Sequence, residues 1–146
     1  MHKISISLSA TLMSLSLSTV VLADPPPVVS SASELAVQHG VDFARKQEFG
    51  KAIELWKPLA DRGNAAAQNN LGVMYELGHG LPKDYAQAVV WFRKAAQQGH
   101  AAAEFNLGYM YANGEGLSKD EAQAKVWFTK SAMQGYVPGG DDSIVQ

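Results

Sequence analysis

Residues 64–99 read NAAAQNNLGVMYELGHGLPKDYAQAVVWFRKAAQQG, and residues 100–135 continue without a gap as HAAAEFNLGYMYANGEGLSKDEAQAKVWFTKSAMQG. These two 36-residue stretches are identical at 23 positions. Self-similarity at a fixed period is typical of repeat proteins, in which each unit buries its apolar face against its neighbours. The chain is therefore predicted to be a stack of repeats.

Each copy has the pattern of two helices joined by a glycine-containing loop. Asn64 and Asp84 are predicted to cap the two helices of the first copy, and Gln87 to complete a capping box with Asp84. Gly99 follows the second helix, as expected of a left-handed C-terminal stop. Gly72 lies inside the first helix, where glycine costs roughly 1 kcal/mol relative to alanine. We therefore expect the two helices to cross closely at this residue.

A degenerate first repeat, residues 34–63, precedes the two copies. One helix is predicted from Ser33 to Lys46 and a second from Phe49 to Asp61, with Gly63 as its stop. After the second copy, a proline and paired glycines stop further helix formation. Residues 136–146 are therefore predicted to be a flexible C-terminal tail.

The N-terminus has the features of an export signal. Lys3 gives a weakly basic start, residues 4–22 are an apolar run, and the small residue Ala23 completes a cleavage pattern. Serines and threonines interrupt the run and make it a poor membrane span, which favours a cleaved signal peptide, residues 1–23, over a membrane anchor. Residues 24–33 contain three consecutive prolines and are predicted to be an extended linker.

The composition argues against several classes of partner and chemistry. The formal net charge of the whole chain is −2, and removal of Lys3 with the leader makes it −3. This near balance, without a basic run, argues against nucleic acid or an anionic membrane as the partner. The chain has no cysteine, so an exported form would be held together by packing alone and would have no thiolate metal site.

One set of residues recurs at matching positions of both copies. In the first copy it consists of Ala65, Ala67, Gln68, Leu71, Gly72, Met74, Tyr75, Gly78 and Gly80, followed by Asp84, Tyr85, Ala88, Trp91, Phe92, Ala95, Ala96 and Gly99. This pattern resembles the Sel1-like repeat family, which is related to tetratricopeptide repeats, and residues 34–63 resemble a shorter tetratricopeptide-like unit. The resemblance implies an all-α fold, an α-solenoid of about three antiparallel helix pairs in a right-handed superhelix. It also implies a protein-binding scaffold of the bacterial envelope or of secreted proteins.

No constellation of residues for catalysis stands out, and no catalytic, cofactor-binding or metal-ligating residue is predicted. His79 and His100 correspond to Glu115 and Asn64 in the other copy, which favours surface or capping roles for both histidines. His39 interrupts an apolar stripe and is expected to be a partly buried packing residue. Some Sel1-like proteins are linked to β-lactam binding or hydrolysis, but those are rich in cysteine and this chain has none.

Positions that differ between the two copies indicate where a partner would bind, because stacking already explains the shared ones. Four differing pairs have the spacing that lines the concave groove in tetratricopeptide-like arrays. Phe105 and Tyr109 are four residues apart, so they share a helical face and would anchor an extended or helical peptide. The alternative is that they pad the groove or pack on the tail. The eight predicted residues are Asn69, Val73, Glu76, Leu77, Phe105, Tyr109, Ala112 and Asn113.

The sequence as a whole predicts a non-enzymatic, exported scaffold that binds a protein or peptide through this concave face, as an adaptor or regulator in the bacterial envelope. The periplasm is the predicted location, with secretion as the alternative. No cofactor, nucleic acid or stable membrane insertion after cleavage is expected. Two other functions are weighed: a hydrolase of cell-wall or β-lactam compounds, and a structural envelope protein that self-assembles. Self-assembly would use the last helix, Glu121 to Gln134, if no partner lies beyond it.

Overall fold

The computed structural model describes residues 31–139, and these residues form six α-helices and no strand. The predicted all-α fold is confirmed. The predicted leader, most of the linker and the end of the tail lie outside the described residues. The helices are α1 (Ser31–Arg45), α2 (Phe49–Asp61), α3 (Ala65–Leu77), α4 (Tyr85–Gln97), α5 (Ala101–Asn113) and α6 (Glu121–Met133).

Each helix packs against the helix that follows it in sequence, and the contacts are most extensive within the pairs α3/α4 and α5/α6. Three helix pairs therefore follow one another as an α-solenoid, as predicted. We call α1, α3 and α5 the A helices and α2, α4 and α6 the B helices. The bounds predicted for α2 are those observed, whereas α1 begins two residues before the predicted Ser33 and ends one residue before Lys46.

Polar side chains cap the starts of α3, α4, α5 and α6, whereas Glu48 before α2 makes no such hydrogen bond. Asn64 Oδ1 accepts a hydrogen bond at 2.9 Å from the backbone N–H three residues on, and His100 Nδ1 does the same at 3.3 Å. Asp84 Oδ1 accepts from the backbone N–H of Gln87 at 3.0 Å. The second half of the predicted capping box is wrong. The backbone N–H of Asp84 donates to the Tyr75 carbonyl at 2.9 Å, so it is not free for the Gln87 side chain.

A glycine of each A helix packs against an aromatic ring of its partner B helix. A Cβ added to the glycine of α3 would lie 2.5 Å from the facing ring, closer than real Cβ atoms approach other atoms. The close crossing predicted at Gly72 is therefore confirmed. The three equivalent contacts are Gly40 with Trp56, Gly72 with Phe92, and Gly108 with Phe128.

This glycine contact aligns the first repeat with the other two. Counted from the glycine, Val37 of α1 holds the place of Asn69 in α3, and Gln38 holds the place of Asn70. The loop between α1 and α2 covers residues 46–48, whereas the loop between α3 and α4 covers residues 78–84. The loop of the first repeat is thus shorter by four residues, which is one departure of this repeat from the other two.

Two clusters of buried apolar side chains form the core. The first involves α1, α2, α3 and the Trp91 ring of α4, and it surrounds the fully buried Trp56; the second lies mainly between α4 and α5 around Phe92. Val73 of α3 packs against both clusters and so joins them. Trp56 Nε1 donates to the Val37 carbonyl at 3.1 Å, which satisfies the polar atom of the largest fully buried side chain.

Candidate functional site: a groove between the A helices

A groove runs between the A helices and encloses a cavity of about 310 Å³. Its walls come from all three A helices and from the residues that cap α5 and follow α6. We call it the A-helix groove. Its lining residues are Gln38, Val41 and Arg45 of α1, Ala66, Asn69 and Asn70 of α3, Ala101 and Ala102 of α5 with the cap His100, and Tyr136.

A hydrogen bond between two asparagines joins α3 to α5 beside the groove. Asn106 Nδ2 donates to Asn69 Oδ1 at 3.0 Å. Asn70 holds the same repeat position as Asn106, but its Nδ2 has no hydrogen-bond partner among the described residues. The Asn70 side chain is also buried, with a relative exposure of 1%. The groove wall therefore contains an unpaired buried donor.

The repeat register explains why Asn70 lacks a partner. Asn106 finds its acceptor in Asn69 on the preceding A helix, and the residue in the place of Asn69 on α1 is Val37. A valine side chain has no acceptor atom. The Val37 carbonyl already accepts from Trp56 Nε1. The asparagine pair that links α3 to α5 therefore has no counterpart between α1 and α3.

A second set of polar contacts satisfies buried groups within the repeats. Gln98 Nε2 donates to Gln68 Oε1 at 2.8 Å, and Gln134 Nε2 donates to Glu104 Oε2 at 2.7 Å. Gln68 Nε2 also donates to the Ala60 carbonyl of α2 at 3.1 Å. Gln68 and Glu104 are each 4% exposed. Gln68 and Glu104 hold the same position in the two copies, and both side chains hold helices together and do not face a partner.

Of the eight residues predicted to bind a partner, Asn69 is the one that lines the A-helix groove. Val73 contributes to the core, Leu77 is 41% exposed at the end of α3, and Asn113 is exposed at the end of α5. Tyr109 is 44% exposed. The places of these eight residues in the fold do not test whether they bind a partner, so their partner contacts stay a prediction.

The exposure of equivalent A-helix positions increases along the array. Val41 of α1 is 4% exposed, Val73 of α3 is partly buried, and Tyr109 of α5 is 44% exposed. A position that faces the next A helix is covered in α1 and α3, but no further A helix follows α5 among the described residues. The tyrosine therefore lies at the end of the array, outside the groove.

Phe105 packs on aromatic rings at that same end. Its ring centroid lies 5.2 Å from that of Phe128 and 5.7 Å from that of Tyr136. The structure thus shows the alternative weighed for this residue, packing on the segment after the last helix. Phe105 and Tyr109 do not form an aromatic pocket in the A-helix groove.

Glu76 lies near two other charged groups at the loop edge of the array. Burial raises the pKa of its carboxyl above the ordinary value, and the neighbouring Glu115 carboxylate raises it further. Lys83 acts in the opposite direction and lowers this pKa. The ionised carboxylate is therefore poorly solvated and poorly compensated, which costs free energy at neutral pH.

The outer face of α6 forms a more open cavity of about 550 Å³, lined in part by Ala112 and Phe128. Lys125, also in its lining, holds the place that Val89 occupies in α4, where the valine is 4% exposed. A second copy seated on this face would have to bury the Lys125 ammonium, which is costly without a partner charge. Self-association through residues 121–134 stays a prediction.

The histidines differ in their surroundings. His39 is exposed, so the expected packing role is wrong. His79 is partly buried and stacks on Phe49 with a centroid distance of 4.4 Å, so it neither caps a helix nor lies free on the surface. His100 caps α5 as expected.

Within residues 31–139, no group of three or more His, Cys, Asp or Glu residues is placed to hold a metal ion. None of the helices described is long and apolar enough to cross a membrane.

The stacked helix pairs and the groove between their A helices define a class, the α-solenoid repeat proteins. The Sel1 repeat family model matches residues 29–64, 65–100 and 101–136, and the chain therefore belongs to the Sel1 repeat family. The first of these matches includes the degenerate unit. Sel1 repeat proteins are typically scaffolds for protein–protein interaction and are generally non-catalytic.

Solved structures of similar proteins share this fold. A protective antigen of uropathogenic Escherichia coli strains with an SLR fold is 32% identical, with a TM-score of 0.67, over 75% of this chain and 24% of that chain. A Sel1 repeat protein from Oxalobacter formigenes is 35% identical, with a TM-score of 0.65, over 68% of this chain and 41% of that chain. This chain thus spans less than half the length of either protein.

A third structure, Helicobacter pylori cysteine rich protein B, is 22% identical with a TM-score of 0.57, and the match covers 72% of this chain and 90% of that chain. At this level of identity the match shows a similar fold alone. None of the curated proteins matches the sequence.

Proposed function

We propose that this Sel1 repeat chain is a scaffold that binds a protein or peptide segment in the A-helix groove, and that it acts as an adaptor or regulator in the bacterial envelope after export. The groove carries the proposal. Its walls come from three separate helices and contain a buried amide that has no hydrogen-bond partner among residues 31–139. Buried polar groups in folded proteins are normally paired, and stacking of the repeats gives this amide no partner.

The dimensions and lining of the groove suit a peptide segment. A cavity of about 310 Å³ is at the lower end of the range for ligand pockets, so it suits a few side chains of a longer segment. Val41 and Ala66 contribute apolar surface, while Gln38, Asn69 and Asn70 contribute side-chain amides. Amides pair with the backbone of an extended peptide, because they contain both a donor and an acceptor.

A steric block tests this function. Ala66 lines the groove and is partly exposed, so Ala66→Trp would fill the cavity. Ala122 is exposed on α6 and lies outside the groove, so Ala122→Trp is a matched control. Both variants and the unmodified chain would be used for crosslinking capture from an envelope fraction, after circular dichroism shows that each is folded.

The expected result is a partner captured by the unmodified chain and by Ala122→Trp, and lost with Ala66→Trp. Capture of the same partner by all three proteins would refute binding in the groove. Recovery of the chain alone would favour self-assembly over an adaptor role.

The proposed location depends on the predicted leader, residues 1–23. The full chain would be expressed in a bacterium with two membranes, and each cell fraction would be analysed by N-terminal sequencing. The expected product starts at Asp24 and is found in the periplasm. A product of full length that stays in the cytoplasm would contradict export, and a product found in the medium would place the scaffold outside the cell.

A further inference from the structure

We infer that copies of this chain stack head to tail, with α1 of one copy packed on the outer face of α6 of another. In this contact Asp42 of one copy lies against Lys125 of the other. The inference goes beyond the proposed function and does not depend on it, because the contact uses the two ends of the array and not the A-helix groove.

The interior of the array shows how an A helix packs on the repeat before it. Three side chains of α3 belong to the buried cluster that it shares with α1 and α2, and three of α5 belong to the cluster that it shares with α4. Each of the six has a relative exposure of 0%. They are Ala67, Leu71 and Met74 of α3, and Ala103, Leu107 and Met110 of α5. We call these three positions the docking face of an A helix.

The docking face of α1 is open. Counted from the glycine of each A helix, its three positions are Leu35, His39 and Asp42. Leu35 is 58% exposed, the Asp42 side chain is 52% exposed, and His39 is also exposed. Among residues 31–139 no repeat precedes α1 to cover them. The first A helix therefore presents the face that α3 and α5 bury.

The outer face of α6 has the residues that receive such a helix. Its cavity of about 550 Å³ is lined in part by two alanines and a phenylalanine. The same positions of α4 are at most 3% exposed and belong to the cluster shared with α5. The residues are Ala124, Phe128 and Ala132 in α6, and Ala88, Phe92 and Ala96 in α4. The last B helix thus keeps the small residues and the ring with which α4 receives an A helix.

Two charges of opposite sign meet in this contact. In the interior, Val89 of α4 and Met110 of α5 belong to one buried cluster. Lys125 holds the place of the valine on α6, and Asp42 holds the place of the methionine on α1. Stacking by the interior geometry therefore brings a carboxylate to the Lys125 ammonium, which has no ion pair within residues 31–139. Polar caps that only kept the ends soluble would not need to match in charge.

A head-to-tail contact joins two different faces of the chain. Every assembly therefore keeps one free α1 and one free α6, unless a ring closes. Copies add one at a time, and their A helices continue a single array. The A-helix groove then recurs once in each copy, so an assembled scaffold presents several identical grooves and gains avidity for a partner that has several binding segments.

Charge reversal is the informative perturbation. Asp42 has Arg45 of its own copy as an ion-pair partner at 3.9 Å, and Glu121 at the edge of the α6 cavity pairs with Lys119 at 3.4 Å. Removal of the Lys125 charge alone would therefore leave no carboxylate unpaired. Lys125→Glu instead places like charges against each other in the contact, and so does Asp42→Lys, which is strongly unfavourable in an interface.

Sedimentation equilibrium of the full chain tests the assembly. The range would be roughly 1 μM to 1 mM, because a contact of one helix with one face is at the small end of protein interfaces. The mass of the unmodified chain should rise beyond that of two copies. Lys125→Glu and Asp42→Lys should each weaken association by roughly a hundredfold. An equimolar mixture of the two should restore it, because each variant supplies the charge that the other needs.

Matched controls change the same charges elsewhere. Lys94 is exposed on α4 and Glu54 is exposed on α2, and neither belongs to a docking face or to the α6 cavity. Lys94→Glu and Glu54→Lys should therefore associate like the unmodified chain. Circular dichroism shows whether each variant is folded, and recovery in the mixture could not come from unfolded chains. Ala66→Trp should also associate normally, so loss of groove binding and loss of assembly are separate results.

Three results would overturn the inference. The first is an unmodified chain that stays monomeric throughout the range. The second is Asp42→Lys that associates like the unmodified chain, which would mean that α6 contacts something other than α1. The third is association that appears only after residues 140–146 are removed, which would show that this segment, and not a second copy, covers α6.

Discussion

The two equivalent asparagines, Asn70 and Asn106, should respond in opposite ways to the same substitution. Leucine has nearly the shape of asparagine but no polar atom. In Asn70→Leu the change removes a buried donor that has no partner in the part of the chain that the structure describes. In Asn106→Leu it removes the donor of a 3.0 Å hydrogen bond and leaves Asn69 Oδ1 without that bond. The repeat position, the residue type and the substitution are matched, and the two side chains differ in their hydrogen-bond partner and in burial, since Asn70 is buried and Asn106 is partly buried.

The magnitudes follow from the two environments. An unpaired buried polar group costs about 1–3 kcal/mol, so Asn70→Leu should raise the free energy of unfolding by about 1–2 kcal/mol after some loss to imperfect packing. Asn106→Leu should lower it by about 1–2 kcal/mol, because a bond is lost and Asn69, itself 6% exposed, keeps an unpaired acceptor. In a small domain, 1 kcal/mol corresponds to about 4–8 °C in Tm.

Urea unfolding followed by circular dichroism and by tryptophan fluorescence measures both effects. The midpoint should rise for Asn70→Leu and fall for Asn106→Leu, with unchanged slopes, since the surface exposed on unfolding is the same. A clear loss of stability in Asn70→Leu, equal to that in Asn106→Leu, would refute the reasoning. It would mean that the Asn70 amide has a partner within the fold and is not held for a ligand.

Four further substitutions test three other features of the structure. Gly72→Ala should lower the free energy of unfolding by about 1–3 kcal/mol, since the added Cβ would meet the Phe92 ring. Gly50→Ala in α2 should raise it by about 0.5–1 kcal/mol, because the space around Gly50 is open. Thermal unfolding of both variants measures these effects. The pKa of Glu76 is raised in the folded state, so the fold binds this proton more tightly than the unfolded chain and stability falls as pH rises above the ordinary carboxyl pKa. Glu76→Gln should therefore raise Tm at neutral pH and leave it nearly unchanged below about pH 4; an equal shift at both pH values would contradict this. Lys125→Val places on α6 the apolar residue that α4 has at the same repeat position. The mass of this variant in solution should therefore increase with concentration more than that of the unmodified chain. Light scattering measures the difference.

The sequence was sufficient to predict those features that depend on contacts inside one repeat. The close crossing at Gly72, the cap at Asn64 and the bounds of α2 each follow from local chemistry, and each is present in the structure. The second half of the capping box was not predictable in this way. The backbone N–H of Asp84 donates to the carbonyl of Tyr75 across the loop. The capping-box pattern considers nearby residues only and does not include this acceptor.

The groove was harder to predict because it depends on contacts between repeats. The comparison of residues 64–99 with residues 100–135 attributed shared residues to stacking of the repeats. It therefore did not select Asn70, which is identical to its counterpart Asn106. It selected Phe105 and Tyr109 because they differ from the residues of the preceding copy. The structure places both at the end of the array, where no further A helix covers them.

The position of an asparagine in the array, more than its residue type, therefore decides whether its side-chain amide is paired. Asn106 is used for stacking because α3 offers it Asn69, and Asn70 is left unpaired because α1 offers it Val37. α1 also differs from α3 at the position of Leu77, where it has Arg45, and Arg45 lines the groove. A degenerate repeat would ordinarily be taken as a loss of pattern. Here the departures from the pattern leave a buried amide without a hydrogen-bond partner among the described residues and place an arginine in the lining of the same groove.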